Sequence, residues 1–149
     1  ITAIDQSLIN KAQSLLLVMQ KNNKLHPLTF RASVNFYRAK GDIVMAKESY
    51  YFYKKYFNNL YNIDKRAAKT LHHWSIILGI YKDTPGLYEA YIGNFPKNVI
   101  VENNMANFYT YTQQYLKSVV HMTYVLKNKP GLIKPDVLKI LQDKGFIKK

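Results

Sequence analysis

Cysteine is absent from the 149 residues, which excludes a disulfide framework, a cysteine nucleophile and every thiolate metal site. A reducing or disulfide-indifferent compartment fits. Acidic residues are scarce: 9 Asp+Glu stand against 22 Lys+Arg, a net charge of +13 and a sequence pI near 9.8. Such an excess repels itself in the compact state and attracts polyanions, so nucleic acid, an anionic membrane surface or an acidic protein are the natural partners. The plainer alternative is charge that only maintains solubility. Long apolar runs are missing too. Ser14 to Met19 and Ser75 to Ile80 fall far short of the roughly twenty residues that cross a bilayer, and no secretory signal is visible. Ile1 in place of an initiating Met is expected of a processed or engineered chain, or of part of something longer. Glycine (6) and proline (5) are sparse, and all but one serve as punctuation, at Pro27, Gly41, Pro85-Gly86, Gly93, Pro96, Pro130-Gly131, Pro135 and Gly145.

What is abundant points to a folded chain. With 48% hydrophobic, 14% aromatic and 21% charged residues, the composition lies far from the disordered class. Its length is that of one domain, residues 1–149, able to bury roughly two-thirds of its unfolded surface. Apolar residues recur at three-and-four spacing and strand-like alternation is scarce, so the expected fold is all-α. The spacing predicts helices near 3–22, 28–39, 43–61, 65–81, 85–93, 102–127 and 135–143. In the first, Ile4, Leu8, Ala12, Leu15, Leu16 and Met19 form one stripe expected to be buried. In the third, Ala46, Tyr50, Tyr53, Phe57 and Leu60 make an apolar, largely aromatic face. Met105, Phe108, Thr112, Tyr115, Val119, Met122 and Leu126 mark a long amphipathic helix, or two helices with a hidden bend. Residues 128–149 read as a basic C-terminal extension whose Val137, Leu138, Ile140 and Leu141 build a short helix closed by Gly145.

Aligning Ala12 with Ala46 exposes an internal separation of 34 residues, with bulky Met19 and Tyr53 seven residues beyond each alanine. In the run TFRASVNFYRAKGDIVMAKESYYFY, Thr29 to Tyr53, a Thr-aromatic pair opens the first helix, Gly41 follows twelve residues after Thr29, and Ala46 five after Gly41. This run resembles a pentatricopeptide repeat, and Ala12 to Phe30 resembles the second helix of an earlier one. Similarity is clearest over residues 9–60, with a weaker echo over 65–95 from Thr70-Leu71 through Trp74 and Tyr81. The resemblance implies a right-handed stack of antiparallel helical hairpins, an α-solenoid fragment, in the mitochondrial matrix, with first helices lining a basic groove for single-stranded RNA. By position, the base-reading residue is Arg31, and His72 in the weak copy. Arg31 departs from the small polar residues of efficient readers and could address a base or a phosphate.

Beside that resemblance, the basic residues themselves form two clusters. Arg31 and Arg38, two helical turns apart, project to one side with Lys40 close by. Lys65, Arg66, Lys69 and His72 form the second, with Lys65, Lys69 and His72 stepping by four and three. Phosphate neutralisation is the functional reading of both, and a solvated face the bland one. Adjacent His72-His73 point about 100° apart with no carboxylate at ligand spacing, so no metal is expected. His26 and His121 stand isolated. Tyr37, Tyr51, Tyr56 and Tyr61 fall off the main stripes and are candidates for stacking on a partner. No catalytic triad, carboxylate pair or phosphate loop is found, so an enzyme, a cofactor and a small-molecule substrate are not expected. The leading expectation is a non-enzymatic component of an organellar ribonucleoprotein, binding single-stranded or ribosomal RNA beside other proteins, in translation or mRNA stability. The alternative is a tetratricopeptide-like protein scaffold. A membrane surface ranks third, because the basic residues are not gathered opposite large apolar groups on one helix.

Overall fold

The computed structural model describes residues 3–60 and 67–149, with side chains at 6–56 and 67–149. Among these residues the fold is all-helical, with no strand: α1 (Ala3–Asn23), α2 (Pro27–Lys40), α3 (Ile43–Leu60), α4 (Ala67–Ile77), α5 (Thr84–Ile92), α6 (Val99–Tyr111), α7 (Tyr115–Asn128), a 3-10 turn (Pro130–Leu132) and α8 (Pro135–Asp143). The chain divides into two compact units, Ile1–Ala67 and Ala68–Lys149.

In the first unit α1, α2 and α3 pack in succession. Pro27 occupies the first turn of α2, where its missing N–H costs nothing, and the His26 ring caps the helix by accepting from the Leu28 N–H at 3.0 Å. That is the role of a histidine that had looked isolated. Gly41, at φ 81°, ends α2 in the left-handed region, and its N–H and that of Asp42 donate to the Arg38 and Tyr37 carbonyls. Asp42 then accepts from the Met45 N–H at 3.0 Å, opening α3. The short turn makes α2 and α3 an antiparallel hairpin, in which Phe30 and Tyr53 meet at 4.8 Å between ring centroids. Phe30 and Val34 of α2 are fully buried against the α3 stripe, of which Ala46, Tyr50 and Tyr53 are buried. Phe57 and Leu60 of that stripe lie outside the described side chains. The Tyr53 hydroxyl donates to the Lys24 carbonyl and ties α3 to the α1–α2 loop.

The α1 stripe departs from expectation. Leu16 is buried, but Leu8 and Leu15 are 60% and 67% exposed, and Ala12 is exposed as well. The amphipathic spacing is present, yet the main packing partner of α1 within its unit is α2, which leaves part of the stripe uncovered. Ile4 lies outside the described side chains.

In the second unit, α4 stops at Ile77 instead of running to 81. Gly79 takes φ 71°, and the Gly79 and Ile80 N–H groups donate to Ile76 and Ser75 carbonyls, closing the helix in a glycine-based cap. The predicted 102–127 segment is two helices. Gln113 adopts φ 61°, and the Gln113 and Gln114 N–H groups bond the Thr110 and Tyr109 carbonyls. This turn folds α7 back along α6, and the Thr110 and Ser118 hydroxyls lie 2.6 Å apart, both 2.8 Å from the Ala106 carbonyl. α8 docks as a cover: its Val137 and Leu141 are fully buried against Ala106 of α6 and Met122 of α7. Each such side chain contributes roughly 1.5–3 kcal/mol.

Candidate nucleic-acid interface

α2 has one face in the hairpin core and the other in solvent. Phe30, Ser33 and Val34 turn inward, which leaves Arg31, Asn35 and Arg38, spaced four and three, on the outer face, all exposed. Lys40 is exposed at the end of the same helix. The structure therefore brings Arg31, Arg38 and Lys40 onto one helix, with no acidic residue among the fourteen of α2. A ridge of this kind can neutralise a run of phosphates, because guanidinium donors form charge-assisted pairs with phosphate oxygens.

The second predicted cluster is not assembled in the same way. Lys65 and Arg66 lie outside the described residues, and Lys69 is half-buried on α4. His72 is a correction: it is fully buried, with Nε2 3.0 Å from the Met105 sulfur and its ring 6.1 Å from that of Tyr88. Burial above all, with a smaller push from His73, lowers its pKa to about 4 against a weaker opposing pull from Glu102. At neutral pH His72 is thus uncharged and enclosed, and it supplies no surface cation or base-reading edge. Helical spacing made a stripe with Lys69, but α6 covers its His72 end. Among the tyrosines singled out, Tyr51 is exposed, Tyr37 and Tyr56 are half-buried, and Tyr61 lies outside the described residues.

A polar cluster that the sequence did not disclose sits in the second unit. Glu102 of α6 is almost fully buried; it accepts from the Tyr88 hydroxyl of α5 at 2.7 Å and from His121 Nδ1 of α7 at 2.5 Å. Tyr109 stacks on the His121 ring at 5.6 Å, and Tyr88 meets it edge-on at 5.2 Å. Burial pushes the Glu102 carboxyl up, but the hydrogen bonds from His121 and Tyr88, with the His121 charge, hold it below the ordinary carboxylate range. Tyr88 is raised, by burial first and then by donating to Glu102. The arrangement ties three helices through one carboxylate. Residues 102 and 121 meet only because the chain reverses at 112–114, and the run Thr112-Gln113-Gln114 holds no Gly, Pro, Asn or Asp to announce that turn.

Among the described residues no group of three or more His, Asp or Glu is placed to hold a metal ion, and no helix is long and apolar enough to cross a membrane. Comparison with protein-family models, curated proteins and solved structures finds no match.

Proposed function

We propose that this chain is a non-enzymatic RNA-binding protein that holds single-stranded RNA through the outer face of α2, as a component of a ribonucleoprotein. The observation that carries this reading is the α2 ridge: Arg31, Arg38 and Lys40, exposed on one helix that has no acidic residue, in a chain of net charge +13. Arg31 is the only base-reading candidate left once His72 is placed in the core, so binding is governed by phosphates and is tolerant of sequence. The organellar setting, in mitochondrial translation or mRNA stability, rests on the pentatricopeptide-like run from Thr29 to Tyr53.

Fluorescence anisotropy with short single-stranded RNAs of unrelated sequence tests it. Affinity is expected to fall steeply with salt, since each neutralised phosphate releases counterions. Changing Arg31 and Arg38 together to Gln should reduce the salt slope by about 1.5, near 0.7 for each phosphate of a single strand that is no longer neutralised. Melting should be nearly unchanged, because exposed charges contribute little to stability. Binding indifferent to salt, or a double variant that binds like the parent, removes the proposal.

A further inference from the structure

The exposed apolar stripe of α1 is one wall of a groove in the first unit. Leu8, Ala12 and Leu15 of α1 face Ala32, Phe36 and Ala39 of α2 across an opening of about 490 Å³. Both sets repeat at four and three residues, so each wall is a helical ridge that runs along its axis for seven residues, roughly 10 Å at 1.5 Å per residue. Three of the six are alanines, which keep the floor low between the large side chains. Two parallel ridges with a low floor have the shape into which the ridge of a third helix packs.

The borders of the groove are basic. Lys11 stands beside Leu15 along α1, and the two share the lining of a neighbouring opening with Asn10 and Ser14. On the other wall Asn35 lines the groove, and Arg31 and Arg38 are its neighbours one turn away in either direction. No acidic residue lies among the groove's lining residues, and within residues 6–56 the acidic residues are Asp42 and Glu48, in the α2–α3 turn and on α3.

We infer that this groove is a docking site for an amphipathic α-helix of a protein partner, with an apolar face of Leu- and Ala-sized residues flanked by Asp and Glu. The apolar face fills the floor between α1 and α2, and the acidic flanks meet Lys11 on one side and Arg31 and Arg38 on the other. Charge selects this occupant over a second copy of the chain. Self-association brings +13 against +13, and α1 laid against another α1 sets Lys11 and Lys21 against their own kind. A concave slot between two helices also differs from the single convex apolar face with which a helix lies on a lipid surface. The docked helix shares the Arg31 and Arg38 border with the proposed RNA ridge, so the two ligands are expected to compete there, while the apolar walls serve the helix alone.

The probe is a fluorescein-labelled synthetic peptide of about 15 residues, a length at which helices in water are marginal, with Leu and Ala on one face and Glu on both flanks. Two controls accompany it, a Lys-flanked version and a scrambled sequence of the same composition. Saturable binding is expected for the Glu-flanked peptide, with roughly tenfold or greater weakening for the Lys-flanked and scrambled ones. Leu8→Gln with Leu15→Gln should weaken it by a similar factor, with unchanged helicity because both side chains already face solvent and with the charge around Arg31 and Arg38 unaltered. The same double variant should keep its RNA affinity, which separates failure of this site from failure of the RNA reading. Equal binding of the scrambled peptide, or binding untouched by the Leu8/Leu15 variant, overturns the inference. A concentration-dependent dimer in sedimentation abolished by that variant, or flotation with anionic phosphatidylserine vesicles abolished by it in the absence of peptide binding, assigns the groove to a second copy or to lipid and overturns it as well.

Discussion

The two units carry almost the same charge and treat apolar surface in opposite ways. Ile1–Ala67 has eleven Lys+Arg against four Asp+Glu, and Ala68–Lys149 has eleven against five. Within residues 6–56, however, ten large apolar side chains are exposed and six apolar ones are buried, whereas across 68–149 the figures are eight and sixteen. Charge alone therefore does not distinguish a working surface on this molecule, because both halves have it equally. The difference lies in what accompanies the charge: exposed leucines and an exposed arginine-bearing helix face in the first unit, a closed core with a buried carboxylate in the second.

The largest effect that would sharpen this contrast is expected at Glu102. Glu102→Ala leaves the Tyr88 hydroxyl and the His121 ring without their acceptor, and each buried donor left unsatisfied typically costs about 1–3 kcal/mol. Urea unfolding should show a loss of that size, and hydrogen exchange should place it in α5, α6 and α7. A loss under about 0.5 kcal/mol, the scale of an ordinary surface change, would show that the carboxylate is a bystander and that the second unit is held by apolar packing alone.

The same substitution made in both units tests the contrast directly. Leu141→Ala removes a fully buried side chain packed on Ala106 and Met122 and should cost about 2–5 kcal/mol. Leu15→Ala removes one that is 67% exposed, and stability should stay within about 0.5 kcal/mol. Equal costs at the two sites, read from chemical denaturation midpoints, would mean that α1 is covered in solution and would break the comparison.

How far these differences were legible in the sequence follows from what kind of signal each one is. Periodicity located the helical segments, with α6 and α7 run together and the 3-10 turn at Pro130–Leu132 unforeseen, because a three-and-four repeat is a property of neighbouring residues. It also foretold that Ala46, Tyr50 and Tyr53 would be buried, since the α2–α3 hairpin is closed by a two-residue turn that leaves those faces little freedom. For α1 the stripe was correct and its burial was not, because a stripe says which face is apolar and never whether another element is there to cover it. The two misplaced boundaries, at Ile77 and at 112–114, both fall beside left-handed residues. Gly79 was a readable signal, and Gln113 was not, since a non-glycine in that region is uncommon and costs about 1–2 kcal/mol against the helix it replaces. Missing that turn concealed the Glu102–His121 pair, whose members are 19 residues apart in the chain. In the candidate site, Arg31, Arg38 and Lys40 were legible because all three lie on one uninterrupted helix. His72 was misplaced because its environment is set by Met105 and Tyr88, from helices that local spacing does not see.

His72 also carries the last prediction, which asks whether the second unit has a cationic face to match α2. Its folded pKa of about 4 lies below the ordinary 6.5, so the unfolded chain takes up a proton first as the pH falls. The His72 contribution is therefore complete above pH 6.5, where both states are neutral, and is lost progressively between 6.5 and about 4, by up to about 3 kcal/mol at 1.36 kcal/mol per unit. Glu102 is depressed in the carboxylate range, so its contribution is lost at lower pH, from about 4.5 downward, and the two windows separate. Denaturation midpoints of the parent chain at pH 7, 6 and 5 should decline, and His72→Met, similar in bulk and without a titrating group, should flatten the decline over that interval. A parent curve that is already flat from 7 to 5 would show that His72 takes up its proton alike in the folded and unfolded chain. A protonated His72 would then stand with Lys69 as a second cationic pair on α4, and the α2 ridge would lose its claim to be the sole assembled candidate among the described residues.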